Sequence, residues 1–146
     1  MTKLMTWEIA DLNSRIRQEI NSATGLMRSF TMTQMHALVF LLHYSDKDIC
    51  QKDLETEMGL KKASITGLID TLEKRGYIYR EQSKDDRRKN YIRLTPEALA
   101  YKDIIYDKFR ELDEVLKKDI SEKELQQFFL IAEKIKNNIR TINDRK

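Results

Sequence analysis

The 146-residue chain contains one cysteine, one proline, four glycines and one tryptophan. The single cysteine, Cys50, excludes an internal disulfide and leaves no thiolate cage for a metal. With proline and glycine this scarce, the usual helix breakers are missing, and a mainly α chain is expected. No apolar run approaches the roughly 20 residues that a membrane helix needs. The first dozen residues lack the basic-then-apolar order of a secretion signal, because Glu8 and Asp11 interrupt them. Cytoplasmic localisation is the expectation. A Gly-rich phosphate loop, metal-ligand spacing and a nucleophile–base pair are all missing, which points away from an enzyme. His36 and His43 stand two turns apart and with Cys50 offer at most an incomplete zinc site, so neither a metal nor a cofactor is expected.

What is present is charge, unevenly placed. The net charge is +3 overall, yet residues 61–93 carry ten basic against five acidic side chains, while the segments on either side are slightly acidic or neutral. A local basic excess is the electrostatic footprint of a phosphate-binding surface, although a solvated basic face has the same composition.

That segment opens with the stretch from Lys61 to Arg75, around which the chain is organised. Ile65, Leu68, Ile69 and Leu72 recur at helical spacing and make one apolar stripe. The opposite side offers Ala63, Gly67, Asp70 and Lys74, flanked by Ser64, Thr66 and Thr71. Small and hydroxylated side chains of this kind let a helix bring its backbone close to another surface. Gly59 closes the helix before it (Gln51 to Met58, with Leu54 and Met58 inward) and Gly76 follows its last turn. Two helices joined by a tight Gly-containing turn, the second with a compact polar face, form a helix-turn-helix pattern.

The flanking sequence supplies supports. Thr6 is placed to cap a first helix carrying Ile9, Leu12, Ile16, Ile20 and Ala23, which the Ala-Thr-Gly stretch at 23–25 ends. Thr31 and Gln34 fit a capping box, with Phe30 and Met35 in the positions of a hydrophobic staple. The helix they start is apolar nearly all round to Tyr44 and is expected to be buried. After Gly76, two β-prone runs, Tyr77-Ile78-Tyr79 and Tyr91-Ile92-Arg93-Leu94, flank a charged tip at 83–90, as in a hairpin. Thr95 and Pro96 mark a helix running to about Lys118. Ser121 and Glu124 make a second capping box before a last helix whose Leu125, Phe128, Ala132, Ile135, Ile139 and Ile142 form a heptad-like seam.

Helix, short helix, turn, recognition helix and hairpin together specify a winged helix-turn-helix. The run from Asp86 to Thr95 resembles the wing signature of MarR-family transcriptional regulators. Asp86 and Arg88 fit its Asp-x-Arg, Ile92 its apolar seventh position, and Leu94 and Thr95 its closing Leu-Thr. Gly59-Leu60, Ile65-Thr66, Leu72-Glu73, Gly76-Tyr77-Ile78 and Thr31-x-x-Gln34 also stand where that family places its turn, recognition helix, helix exit and second-helix entry. The implied fold class is mainly α. A winged domain at 31–96 carries a short hairpin, and helices at 1–30 and 97–146 dimerise. The implied function is that of a homodimeric regulator, a repressor, that binds a palindromic operator in double-stranded DNA and is released by a small aromatic or anionic effector.

The candidate DNA contacts on helix 61–75 are Lys61, Lys62, Ser64, Thr66, Gly67 and Thr71. On wing 83–90 they are Lys84, Asp86, Arg87, Arg88 and Lys89. An Arg at a hairpin tip suits a narrow minor groove, and an Asp two residues earlier can hold its guanidinium or the loop backbone. Lysines 61, 62, 74, 84 and 89, with Arg75 and Arg87, suit phosphate contacts. Arg15, Arg17 and His36 are candidate effector contacts, against a satisfied core histidine as the plainer role for His36. Cys50 does not stand where oxidant-sensing relatives carry theirs and reads as a buried, inert thiol. The competing function is a winged helix that docks a protein without specific DNA binding.

Overall fold

A computed structural model of the chain describes residues 2–24 and 29–144. Its elements, in order, are α1 (Met5–Thr24), α2 (Met32–His43), α3 (Gln51–Met58), α4 (Lys62–Lys74), β1 (Ile78–Gln82), β2 (Asn90–Leu94), α5 (Pro96–Ala100), α6 (Lys102–Lys117) and α7 (Glu122–Asn143). The chain divides into two compact units, Met1–Phe109 and Arg110–Lys146.

In the first unit, α1 starts ahead of Thr6. The Leu4 carbonyl accepts from the amides of Trp7 (3.1 Å) and Glu8 (3.2 Å), so Thr6 lies within the first turn and caps nothing there. Gly25, the expected end of this helix, lies outside the described residues. The entry to α2 follows the sequence closely. Thr31 and Gln34 exchange reciprocal bonds of 3.0 and 3.1 Å, and Phe30 and Met35 are both buried as the staple requires. The inward face of α2 is Met35, Ala37, Leu38, Leu41 and Leu42. His36 and His43 are exposed, so this helix has a second, open face that its apolar composition conceals.

Leu54 of α3 and Ile65, Ile69 and Leu72 of α4 are, with Leu42 and Ile78, the largest fully buried side chains among the described residues. Met58, expected inward, is only half-buried. Gly59 ends α3 with φ of 61°, the left-handed conformation that glycine adopts without a Cβ penalty. The hairpin pairs Ile78 with Leu94 through to Gln82 with Asn90 and is longer than the β-prone runs alone. A diagonal cross-strand ion pair, Arg93 Nε to Glu81 at 2.6 Å, carries the ladder into polar sequence. Ile49 accepts a 2.7 Å bond from the Ile92 amide, which fastens the ribbon to the segment before α3.

Thr95 is the clasp at the hairpin base. Its hydroxyl donates to the Gly76 carbonyl at 2.8 Å and accepts from the Ala98 amide at 3.3 Å. Its own amide bonds the Tyr77 carbonyl at 3.0 Å. One residue thereby ties the exit of α4 to the start of α5. The single helix expected from Pro96 to about Lys118 is two. At Tyr101 the amide turns back to Ala98, an i−3 bond of 3.2 Å, and α6 begins with Ile105 bonded to the Tyr101 carbonyl at 2.9 Å. Neither glycine nor proline marks this break.

In the second unit Ser121 and Glu124 form the second capping box, with bonds of 2.8 and 3.3 Å. The turn before it passes through Asp119 at φ of 61°. On α7, Leu125, Ala132 and Ile135 are half-buried, whereas Phe128, Ile139 and Ile142 of the same seam are more than half exposed in the single chain. Phe129, Leu130 and Ile131 add to this apolar surface. No helix among the described residues is long and apolar enough to cross a membrane.

Candidate nucleic-acid interface

The α4 stripe of Ile65, Ile69 and Leu72 is sunk in the core, which turns Ala63, Ser64, Gly67, Asp70, Thr71 and Lys74 to the surface. Lys61 occupies the N-cap position without a side-chain cap, so the first-turn amides have no side-chain acceptor and lie beside two lysines. Amides and cations gathered at a helix N-terminus suit a phosphate. Gly67 has an ordinary helical backbone, and a Cβ built there meets nothing within 4 Å. Neither backbone conformation nor internal packing requires glycine at this position.

The hydroxyls differ in what they have left to offer. Thr66, half-buried, donates to the Lys62 carbonyl at 2.9 Å and accepts from Gln51 Nε2 at 2.9 Å. Its polar capacity is spent inside the protein, where it ties α3 to α4. Thr71 donates to the Gly67 carbonyl at 2.8 Å. Ser64 has no hydrogen-bond partner among the described residues and remains open.

The wing tip spans 83–89 and is built on Ser83, a buried polar side chain at 4% exposure. Its hydroxyl accepts from the amides of Asp85 and Asp86, both at 3.3 Å, and lies 3.4 Å from the Tyr91 hydroxyl. Its amide closes the loop on the Lys89 carbonyl at 2.8 Å. Asp86 then holds Arg88 as the sequence suggested, accepting from its amide at 3.0 Å and from its Nε at 3.4 Å. The Arg88 side chain is nonetheless 93% exposed. A fixed backbone with a solvent-exposed guanidinium, held only at Nε, is suited to insertion. Lys84, Arg87 and Lys89 surround it, all exposed.

Three other arginines of this region act inside the protein. Arg80 of β1 reaches the recognition helix, donating from Nη2 to Asp70 at 2.6 Å and from Nη1 to Glu73. Its amide also bonds Glu73 at 3.1 Å. The Asp70 bond, then the Glu73 charge, raises the Arg80 pKa above its ordinary value, against the effect of burial. Arg93 does the same for β2, bonding Glu81 and Asp48 with its pKa likewise raised. Arg75, expected to contact phosphate, lies over the Phe30 ring at 4.2 Å and donates to the Ser29 carbonyl at 2.6 Å. It fastens the exit of α4 to the entry of α2. Sequence reasoning missed the roles of Arg80 and Arg93, because their partners come from other elements.

Between α3, α4 and the hairpin lies an open cleft of ≈ 420 Å³ whose lining includes Lys52, Lys62, Arg80, Arg88 and Lys89. Of the sequence candidates, Lys62 of the recognition helix and Arg88 and Lys89 of the wing share this concavity; the other candidates do not line it. Cys50 also lines it, half-buried rather than buried, with its thiol 3.1 Å and its amide 2.8 Å from the Asp53 carboxylate.

The effector candidates do not converge. Arg15 is paired with Asp11 at 2.7 Å on the open surface of α1, which raises its pKa, and Arg17 is exposed. His36 is no core histidine. It is half-exposed, 3.3 Å from Glu57, and shares a cleft of ≈ 250 Å³ with Phe40, His43, Tyr44 and Tyr106. Neither Arg15 nor Arg17 lines that cleft. Among the described residues no group of three or more His, Cys, Asp or Glu side chains is placed to hold a metal.

Comparison with known proteins agrees with this geometry. The model of the MarR family matches residues 30–89, from the staple residue of α2 to the wing tip. The chain is 33% identical over 78 residues to the uncharacterized HTH-type transcriptional regulator YfiV of Bacillus subtilis (strain 168). That match takes in 53% of this chain and 48% of the regulator, so the chain spans about half the length of this relative. Among solved structures, the transcription regulator MarR from Oenococcus oeni PSU-1 superposes with a TM-score of 0.79 at 20% identity, covering 90% of this chain and 98% of that one. The S. aureus MepR–DNA complex superposes with a TM-score of 0.78 at 20% identity, covering 94% and 99%. By the matched stretch and the shared fold, the chain has the winged helix-turn-helix architecture of these regulators, and its residues 30–89 are similar to the MarR family.

Proposed function

We propose that the chain is a sequence-specific DNA-binding transcriptional regulator that acts as a homodimer on a palindromic operator and represses from it. The observation that carries this reading is the wing: Arg88 is 93% exposed while Asp86 fixes its backbone, beside a recognition helix with a compact polar face. Helix 61–75 enters the major groove with Lys61, Lys62, Ser64, Gly67 and Thr71 outward, and Thr66 supports it from within. Wing 83–90 follows into the minor groove with Arg88 leading, held by Asp86, while Lys84, Arg87 and Lys89 meet phosphates. MepR, of the same fold, has been solved as a DNA complex, which supports this placement.

The winged domain is taken as 31–96, with 1–30 and 97–146 dimerising. Exposed Trp7, Phe128, Ile139 and Ile142 supply apolar surface for a second copy. Two-fold symmetry then sets half-sites about one helical turn apart. Release by a small aromatic or anionic molecule is assigned to the cleft at His36, Phe40, Tyr44 and Tyr106.

The test is selection of duplexes from a random pool at near-physiological salt, with wild type and Arg88→Ala. The expected result is a palindrome for wild type and a weaker A·T preference for the variant. Salt-sensitive binding without sequence choice refutes the reading and leaves protein docking in its place.

A further inference from the structure

We infer that α4 reads its half-site through the C5-methyl groups of thymine, with Thr71 and Ala63 as specificity-determining contacts. This rests on the DNA-binding reading above and adds to it the chemistry of the sequence that is read. The outward arc of the helix consists of Lys62, Ala63, Ser64, Gly67, Asp70, Thr71 and Lys74. It contains no arginine, asparagine or glutamine, whose planar groups grip guanine or adenine at two points, and its lysines, which can also donate to guanine, stand only in its first and last turns. Its one carboxylate, Asp70, has the chemistry to accept from the cytosine amino group, but Arg80 holds it at 2.6 Å.

Thr71 has spent its hydroxyl proton on the Gly67 carbonyl at 2.8 Å, so the exposed side chain has no donor left and offers its γ-methyl beside an oxygen that can only accept. Ala63 offers a methyl and nothing else. Gly67 lies one turn from each, and beyond the surrounding backbone of its own helix no atom of the protein stands within 4 Å of where its Cβ would be. Without a side chain there, the helix backbone can settle far enough for both methyls to reach the floor of the groove. Ser64 remains a polar contact, but a single hydroxyl bonds any base edge or a phosphate and discriminates little. Lys74, in the last turn, is a point charge suited to the DNA backbone. Thymine is the only base with a methyl in the major groove, so apolar groups on this arc distinguish it from cytosine, adenine and guanine. The same half-site is A·T-rich where Arg88 enters the minor groove.

The experiment uses the full-length chain and the duplex that wild type selects. Each thymine is replaced in turn by deoxyuridine, which removes the methyl and leaves every hydrogen-bonding group in place. Dissociation constants are measured for wild type and Thr71→Ser, a substitution that keeps the bond to Gly67 and removes only the protein methyl. Replacement of the thymine opposite Thr71 is expected to weaken wild type about fourfold, the worth of one buried methyl. Thr71→Ser should bind the thymine duplex weaker by a similar factor and be indifferent to uracil at that position alone. Sequence-selective binding that is indifferent to uracil throughout, or a Thr71→Ser protein as sensitive to uracil as wild type, overturns the methyl readout and leaves DNA recognition standing. Absence of any selective binding overturns both.

Discussion

Gly67 gives a test in which stability and function should move in opposite directions. A glycine inside an exposed helix costs about 1 kcal/mol relative to alanine, through the backbone entropy lost on folding. At position 67 nothing offsets that cost within the protein, because φ is ordinary and the added Cβ meets no atom within 4 Å beyond the backbone of its own helix. Gly67→Ala should therefore raise stability by about 0.5–1 kcal/mol, a shift of roughly 2–4 °C in thermal midpoint for a chain of this size. If the bare backbone there is what meets the DNA, the same methyl overfills the contact. Overpacking of a close-fitting surface costs about 1–3 kcal/mol, which is roughly five- to 150-fold in affinity for each half-site. Thermal or urea unfolding supplies the first quantity and fluorescence anisotropy on a labelled operator the second. A variant that is more stable and binds like wild type would show that Gly67 is merely a tolerated helix glycine. One that is less stable would refute the packing argument itself.

Other consequences can be checked with the same assays. Ser83→Ala removes the acceptor shared by the Asp85 and Asp86 amides, at a cost of about 1 kcal/mol. If Ser83 acts through Arg88, the resulting loss of DNA affinity should largely vanish in an Arg88→Ala background, and a double-mutant cycle reports that coupling. Asp119→Gly relieves a left-handed backbone at φ of 61° and should stabilise the α6–α7 turn by about 0.5–1 kcal/mol, read from the urea midpoint. The Ser121 amide and hydroxyl hold the Glu124 carboxyl below its ordinary value of 4.5. A carboxyl depressed on folding contributes stability that is complete above that ordinary value and is lost as pH falls through the folded value. Glu124→Gln keeps an acceptor at the cap but titrates nothing, so its helix content between pH 5 and 2, followed by circular dichroism, should fall less steeply than that of wild type. A fall as steep as wild type would dissociate the capping box from the acid limb.

What the sequence made legible is what local rules decide. The capping boxes at Thr31 and Ser121, the staple at Phe30, the glycine stop at Gly59 and the inward stripe of α4 each depend on residues within about one or two turns of each other. The break at Tyr101 was not legible, because the residues there do not forbid a helix, and the Thr95 clasp that ties α5 to the exit of α4 reaches nineteen positions back to Gly76. The second face of α2 was hidden in the same way. Phe40 and Tyr44 read as core, and only the placement of His36, Glu57 and Tyr106 around them makes a cleft. At the interface the sequence named the residues but not their commitments. Thr66 and Thr71 look alike, yet Gln51, fifteen positions earlier, takes up the first and not the second. Likewise Asp70 reads as an acceptor facing the groove until Arg80, from the strand that follows the helix, is seen to occupy it. A recognition helix is therefore specified twice. Its own sequence fixes which side chains face outward, and the elements packed against it decide which of those side chains still have a hydrogen bond to give. On α4 that second decision withdraws Thr66 and engages Asp70, and leaves a serine hydroxyl and two methyls toward the bases, with lysines suited to the phosphates.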